Sequence, residues 1–139
     1  MIVLDTNVIS EPMKVSGNAA VLTWLDQQAP ETLYLTAINL AELLAGIEFL
    51  ADGKRKDGLA TALSDLISRL FGSRVLAFDE KAARAYAPLI GRARKAGRVI
   101  SVADGQIAAI AAAHGYIVAT RDAEPFKAVG VPVLNPWET

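Results

Sequence analysis

The sequence predicts an α/β protein built on one five-stranded parallel sheet with helices on both faces. Two patterns predict it. Short apolar runs of three or four residues recur along the chain, as expected of strands buried on both sides. Between them lie stretches with helical periodicity and capping residues, and strands that alternate with helices form parallel sheets. A third observation gives the sheet a functional end. The first run, Ile2–Leu4, passes directly into Asp5-Thr6-Asn7. In open α/β sheets ligands bind outside the carboxyl ends of the strands, so Asp5 stands where a site is built.

The remaining elements follow in order. Val8 to about Lys14 is a short turn or helix broken by Pro12. Asn18 caps a helix through Gln28, with Val21, Leu22, Trp24 and Leu25 on its apolar side. Leu33–Leu35 is the second strand. Thr36 caps a helix over Ala37–Leu50, apolar nearly all round and therefore expected to be buried. Ala51–Gly58 is a polar loop with a basic centre, and Leu59–Phe71 an amphipathic helix closed by Gly72. Val75–Ala77 is the third strand. Asp79 opens a long helix to about Ala96, which Pro88 should kink. Ser101 caps a helix through Ala113 that ends at His114-Gly115. Tyr116–Ala119 and Val131–Leu134 are the fourth and fifth strands. No linker or repeat interrupts this order, so residues 1–139 are expected to form a single domain.

Composition narrows the function. Apolar residues make up 53% and charged residues 21%, as in soluble globular proteins. A formal charge of −1 gives no general basic field, so any contact with nucleic acid must be local, through a patch or bound cations. The absence of cysteine excludes disulfides and thiolate metal sites and fits a reducing compartment. With one histidine, His114, a His-rich zinc site is excluded too. No apolar stretch spans a bilayer and no signal peptide precedes the first strand, so no membrane association and a cytoplasmic location are expected.

Four carboxylates occupy placements that suit chemistry. Asp5 follows the first strand, although such a residue is often only a turn former or cap. Glu42 is the one acid of an otherwise apolar helix, where a buried carboxylate must be paired, protonated or metal-bound. Asn39 and Gly46 lie one turn before and after it on the same face, and Gly46 would let another backbone come close. Asp104 lies in Ser101-Val102-Ala103-Asp104, which also reads as a near capping box. Asp122 follows the fourth strand and also reads as the N-cap of a short turn before Pro125 and Phe126. Together the four can converge on one crevice. Several carboxylates without a nearby histidine or cysteine suit a hard cation such as Mg²⁺ or Mn²⁺.

Other chemistries are weaker. There is no Walker loop and no G-x-G-x-x-G, and a Ser-His-Asp triad would need His114 at a helix C-terminus. Lys54, Arg55 and Lys56, or Arg92, Arg94, Lys95 and Arg98, could hold a phosphate backbone but read more readily as a solvated loop and a solvated helix face. Trp24, Tyr34 and Phe49 read as core residues.

With these residues placed, the chain resembles PIN-domain proteins, and among them the VapC-type toxins of bacterial toxin–antitoxin pairs, especially the Fit-type (FitB-like) members. The segments that carry the likeness are IVLDTNVISEP, LTAINLAELLAGI, ISVADGQIAAIA, VATRDAEPF and NPWET, in matching order from Met1 to Trp137. The resemblance implies a PIN-like fold and a Mg²⁺- or Mn²⁺-dependent ribonuclease; the alternatives are a catalytically weak PIN-fold binding module that holds an antitoxin on operator DNA and a metal-dependent phosphatase acting on small molecules. It assigns Asp5, Glu42, Asp104 and Asp122 as metal-binding and catalytic acids, with Thr6, Asn7 and Thr120 in support. It also implies a homodimer, held by a small antitoxin that blocks the site and tethers the pair to operator DNA. Many relatives read Thr-Arg-Asn with an Asp three residues on; here Asp122 takes the Asn position and Pro125 the Asp position. An acid pocket is in addition a receptor for a guanidinium, so the antitoxin is expected to place an arginine among Asp5, Glu42 and Asp104.

Overall fold

A computed structural model describes residues 1–139. The elements run β1 (Ile2–Leu4), α1 (Thr6–Ser10), α2 (Ala19–Gln27), β2 (Leu33–Thr36), α3 (Ala37–Glu48) and α4 (Lys54–Leu70). They continue with β3 (Val75–Leu76), α5 (Glu80–Lys95), α6 (Val102–His114), β4 (Ile117–Ala119), α7 (Glu124–Ala128) and β5 (Val133–Leu134). One-turn 3-10 helices cover Glu11–Met13, Pro30–Thr32 and Pro136–Glu138.

The strands form one parallel sheet in the order β3-β2-β1-β4-β5. The chain leaves the central β1 toward β2 on one side and returns as β4 on the other. That reversal opens a crevice at the carboxyl ends of β1 and β4. Register keeps the two ends level. Leu4 pairs with Ala119, and the Asp5 amide donates to the Ala119 carbonyl at 2.9 Å.

Alternation along the strands builds a core on each face. Val3 and Val118 pack with Leu89, Ile107 and Phe126 beneath α5, α6 and α7. Leu4 and Ala119 pack with Val8, Val21, Leu43 and Leu63 beneath α1 to α4. Val3, Leu4 and Val118 are fully buried, and each such side chain stabilises by about 1.5–3 kcal/mol. A slip of one residue would turn Leu4 to the wrong face, so the core fixes the position of Asp5.

All four predicted cap residues are found. Asn18 accepts from the Ala20 and Val21 amides at 2.9 and 3.3 Å, and Thr36 from Asn39 at 3.0 Å. Asp79 accepts from Ala82 at 3.0 Å and Ser101 from Asp104 at 3.1 Å. Gly105, directly after Asp104, is buried where α6 meets α5. A Cβ there would lie 3.0 Å from the Tyr86 ring and the Ile90 side chain, so glycine permits the approach that seats the start of α6.

Several expectations are corrected. Lys54–Gly58 is the first turn of α4 and not a loop, although it has no apolar periodicity. The Asp57 amide closes that turn on the Gly53 carbonyl at 3.1 Å. Lys56 bridges the Glu48 carbonyl and Asp52 Oδ1 at 3.1 and 3.2 Å, tying α4 to the end of α3. Helix α3 is not buried, because its second half runs out beyond the sheet. Only Asn39 and Leu43 are enclosed, and Leu44 and Phe49 are 53% and 85% exposed. Phe49 is therefore not a core residue, and nothing lies within 4 Å of a Cβ built on Gly46. Pro88 sits inside α5 without ending it. No helix is long and apolar enough to cross a membrane.

Candidate active site

The crevice at β1 and β4 is built around Asp5. Its side chain is 7% exposed and accepts three hydrogen bonds. The Thr6 amide reaches Oδ1 at 2.9 Å, which makes Asp5 the cap of α1. Asn39 Nδ2 reaches the same oxygen at 3.0 Å. Thr120 Oγ1, at the end of β4, donates to Oδ2 at 2.8 Å. Two strand ends and one helix thus hold a single carboxylate from three sides.

Asn39 is the hub of this arrangement. It is fully buried, and its Oδ1 accepts the Thr36 hydroxyl at 2.6 Å. Its amide also donates to Thr6 Oγ1 at 3.1 Å, and Thr6 Oγ1 in turn donates to Glu42 Oε1 at 3.1 Å. The chain Thr36–Asn39–Asp5/Thr6–Glu42 satisfies each buried polar atom it contains, as a low-dielectric site requires. The candidate set drawn from the sequence omitted Asn39. The available signal was its place one turn before Glu42, a polar side chain in an apolar helix.

The other three acids are held differently. Glu42 lies on an exposed part of α3, not in a buried helix, and its one hydrogen bond is from Thr6. Shielding of its carboxyl end raises its pKa, with Asp5 and Asp104 adding repulsion and the Thr6 bond opposing. Asp104 is half-buried. Shielding raises its pKa too, reinforced by Asp5 and Asp122 and opposed by the Ser101 hydroxyl. The capping box is only half made. Ser101 accepts the Asp104 amide, and the Asp104 carboxylate does not accept the Ser101 amide in return. Asp122 is exposed and is not a cap, since α7 starts at Glu124 with Ala123 in the cap position and no side-chain cap. Its amide donates to Thr120 Oγ1 at 3.1 Å. Pro125 occupies the first turn of α7. Asn7 supports the same edge, its Oδ1 accepting the Arg121 amide at 3.3 Å.

The four acids therefore share one electrostatic neighbourhood, Glu42 sensing Asp5 and Asp104, and Asp104 sensing Asp5 and Asp122. None of the chain's five ion pairs involves any of them, so the structural ion pair considered for Glu42 is not formed. The carboxylates ring the crevice without closing on one point: no three converge at coordination distance. His114 precedes β4, at the opposite end of the strand from Thr120, and stacks on Tyr116 with centroids 5.2 Å apart.

One further acid is buried and was not singled out from the sequence. Glu11 accepts the Asn18 amide at 2.9 Å and forms an ion pair with Lys14, Oε2 to Nζ 2.9 Å. Lys14 and the Asn18 amide hold its pKa low. Its partners make it an anchor for the Lys14–Gly17 loop.

The parallel sheet with this acid crevice is the architecture of a nuclease-type domain, and comparison with known proteins assigns the family. The PIN domain family model matches residues 2–132, and the chain belongs to the PIN-domain family. It is 53% identical to the plasmid stability protein StbB of Pseudomonas syringae pv. tomato and 51% identical to the VapC ribonuclease Y4jK of Sinorhizobium fredii, with 99% of each chain covered in both cases. It is 47% identical to the toxin FitB of Neisseria gonorrhoeae, again over 99% of each. Among solved structures, FitAcB from Neisseria gonorrhoeae superimposes with a TM-score of 0.95 at 47% identity, covering 100% of both chains. FitAB bound to the IR36 DNA fragment gives 0.93 at 46% identity, covering 99% of this chain and 96% of that one.

Proposed function

We propose that the protein is a divalent-metal-dependent ribonuclease of the cytoplasm, the toxin of a type II toxin–antitoxin pair. One observation carries the reading: Asp5, Glu42, Asp104 and Asp122 share the crevice of a PIN domain with no cation of the chain paired to them. Like charges left unpaired raise one another's pKa, a cost that a bound cation removes. The donors are all carboxylate oxygens, which suits Mg²⁺ or Mn²⁺. Asp5 would be the fixed ligand, with Glu42, Asp104 and Asp122 turning in from their more exposed positions. A cation bound there supplies Lewis acidity and lowers the pKa of a bound water.

The chain's own residues have separate tasks. Thr6, Asn39 and Thr120 fix the orientation of Asp5. Thr6 also leans Glu42 toward it. Asp122, whose carboxylate makes no hydrogen bond within the chain, is placed to orient the attacking water. Asn7 holds the loop that carries Arg121 and Asp122 against α1. The kinship with a VapC ribonuclease and a Fit toxin supports RNA as substrate, a protein antitoxin as partner and operator DNA contacted through that antitoxin. The exposed Leu44, Phe49, Val99 and Val102 support association with a second copy and with the antitoxin. An antitoxin arginine is a fitting guest for acids that have no internal cation.

The test is cleavage of RNA by the purified protein with Mg²⁺ or Mn²⁺ and with EDTA. Asp5→Asn, Glu42→Gln and Asp104→Asn should each lower the rate by about 100-fold or more. Full activity in EDTA, or in Asp5→Asn, refutes the reading. A binding module without catalysis would bind RNA or antitoxin and cleave nothing in any metal.

A further inference from the structure

A protein of net charge −1 that gathers four acids at its crevice repels RNA unless cations lie close by, because salt screens charge beyond about 8 Å. Besides a mostly apolar hollow between α5 and the start of α6 that is lined by Arg94 and Arg98, three hollows with lysine or arginine border the elements of the site. The one beside Asp122 sets Arg121 and Lys127 against Asp122, Glu124 and Glu138. The one beside Arg98 sets that residue against Asp122 and Glu124. The third is a groove of about 650 Å³ between the end of α1 and the start of α4. Lys14, Lys54 and Arg55 line it and no acid does.

We propose that this groove is the docking track for the strand of single-stranded RNA that leads to the acid crevice, a proposal that rests on the ribonuclease reading. Four observations support it. Lys54 and Arg55 form no ion pair, whereas the adjacent Lys56 is spent on Glu48 and Asp52. Met13 and Val15 supply apolar lining, and Val15 is fully exposed, as a contact surface for bases requires. The buried Glu11 anchors the Lys14–Gly17 loop that carries one wall. Ser10, at the groove's edge, ends the helix that Asp5 caps, five residues or about 7.5 Å long. The groove and the crevice are therefore the two ends of one short helix, within the reach of adjacent nucleotides.

The experiment titrates the full-length protein in EDTA with a fluorescein-labelled single-stranded RNA over a range of NaCl concentrations, so that binding is read apart from cleavage. Lys54→Gln/Arg55→Gln should bind about tenfold more weakly, with the slope of log K against log salt reduced by about 1.4. Arg69→Gln removes one positive charge from α4 about 22 Å away and should bind as the wild type does, without the slope change of about 0.7 that one lost phosphate contact would give. Thermal melts establish that each variant is folded. Equal affinity and slope in the double variant and the wild type overturn the proposal. So does unchanged RNA binding beside lost binding of a synthetic acidic Leu/Glu peptide, which assigns the groove to a protein partner. Cleavage of the same RNA in Mg²⁺ separates this proposal from the one beneath it. Weakened binding in the double variant with no cleavage by the wild type upholds the groove and refutes the nuclease. Cleavage by both with the same KM refutes the groove and leaves the nuclease standing.

Discussion

Asp5 and Asp122 each follow a parallel strand of the same sheet, yet the protein treats them in opposite ways. Asp5 is buried and fixed by three donors from three elements. Asp122 is exposed, and only its backbone is tied. Glu42 and Asp104 fall between, each raised in pKa first by partial shielding from water and then by neighbouring acids. The proposed cation site would need one rigid reference point and several adjustable ligands. The contrast supplies both, and it can be broken by mutation.

The largest effect is expected at the rigid end. Asn39→Ala removes the hub, leaves the Thr36 hydroxyl without its acceptor and takes one of two donors from Asp5 Oδ1. It should destabilise the metal-free protein by about 3 kcal/mol in a urea melt. A cost no greater than that of Glu42→Gln would show that the buried network is not what holds the site. Thr120→Val comes next. It deletes the 2.8 Å bond to Asp5 and should cost about 2 kcal/mol, while Thr120→Ser keeps the hydroxyl and loses only a buried methyl, about 1 kcal/mol. Equal costs for the two variants would remove Thr120 from the account. At the adjustable end, Glu42→Gln, Asp104→Asn and Asp122→Asn should each leave stability within about 0.5 kcal/mol or raise it, even as cleavage is lost.

The smallest expected effect is in pH dependence. The raised pKa values of Glu42 and Asp104 mean that folding disfavours their charged forms. Their contribution is fully present below the ordinary carboxylate range, about pH 4, and is lost as pH rises through the raised values. The melting temperature of the metal-free wild type should therefore fall relative to Glu42→Gln/Asp104→Asn as pH climbs from about 4 to 7, and Mg²⁺ should close that gap. Glu11 acts in the opposite sense. Its lowered pKa stabilises the fold above the ordinary range and is lost in acid. A gap that widens toward low pH would mean that the acids are not crowded.

Much of this was legible in the sequence because strands and caps are local signals. Each of the five strands lies where an apolar run stands between capping residues, and Asn18, Thr36, Asp79 and Ser101 cap as their positions predict. Asp5 and Thr120 at paired strand ends follow from the same logic. What escaped depended on surroundings. The first turn of α4 is polar on all sides and is fixed by Lys56 reaching back to α3, a tertiary contact that periodicity does not record. The apolar run of α3 suggested burial, yet an apolar helix face can equally be a surface that leaves the sheet behind. Gly46 and Gly105 are alike in sequence, each following a functional helix turn, and only the packing of α5 makes Gly105 the one that matters. Asn39 was seen to share a face with Glu42, but its role required knowing that Asp5, 34 residues earlier, lies across from it.

The bond between Asp5 and Thr120 joins positions 115 residues apart. At synthesis rates of about 5–20 residues per second, roughly 6–23 s separate the emergence of the two. Through that interval β1 has β2 for a neighbour but lacks β4, and Asp5 lacks both its Ala119 backbone contact and its Thr120 donor. A nascent or prematurely terminated chain therefore has no organised crevice. On the proposed ribonuclease function, a clamp on Asp5 that lies 115 residues downstream leaves the ribosome-bound chain without its catalytic geometry until Thr120 has emerged.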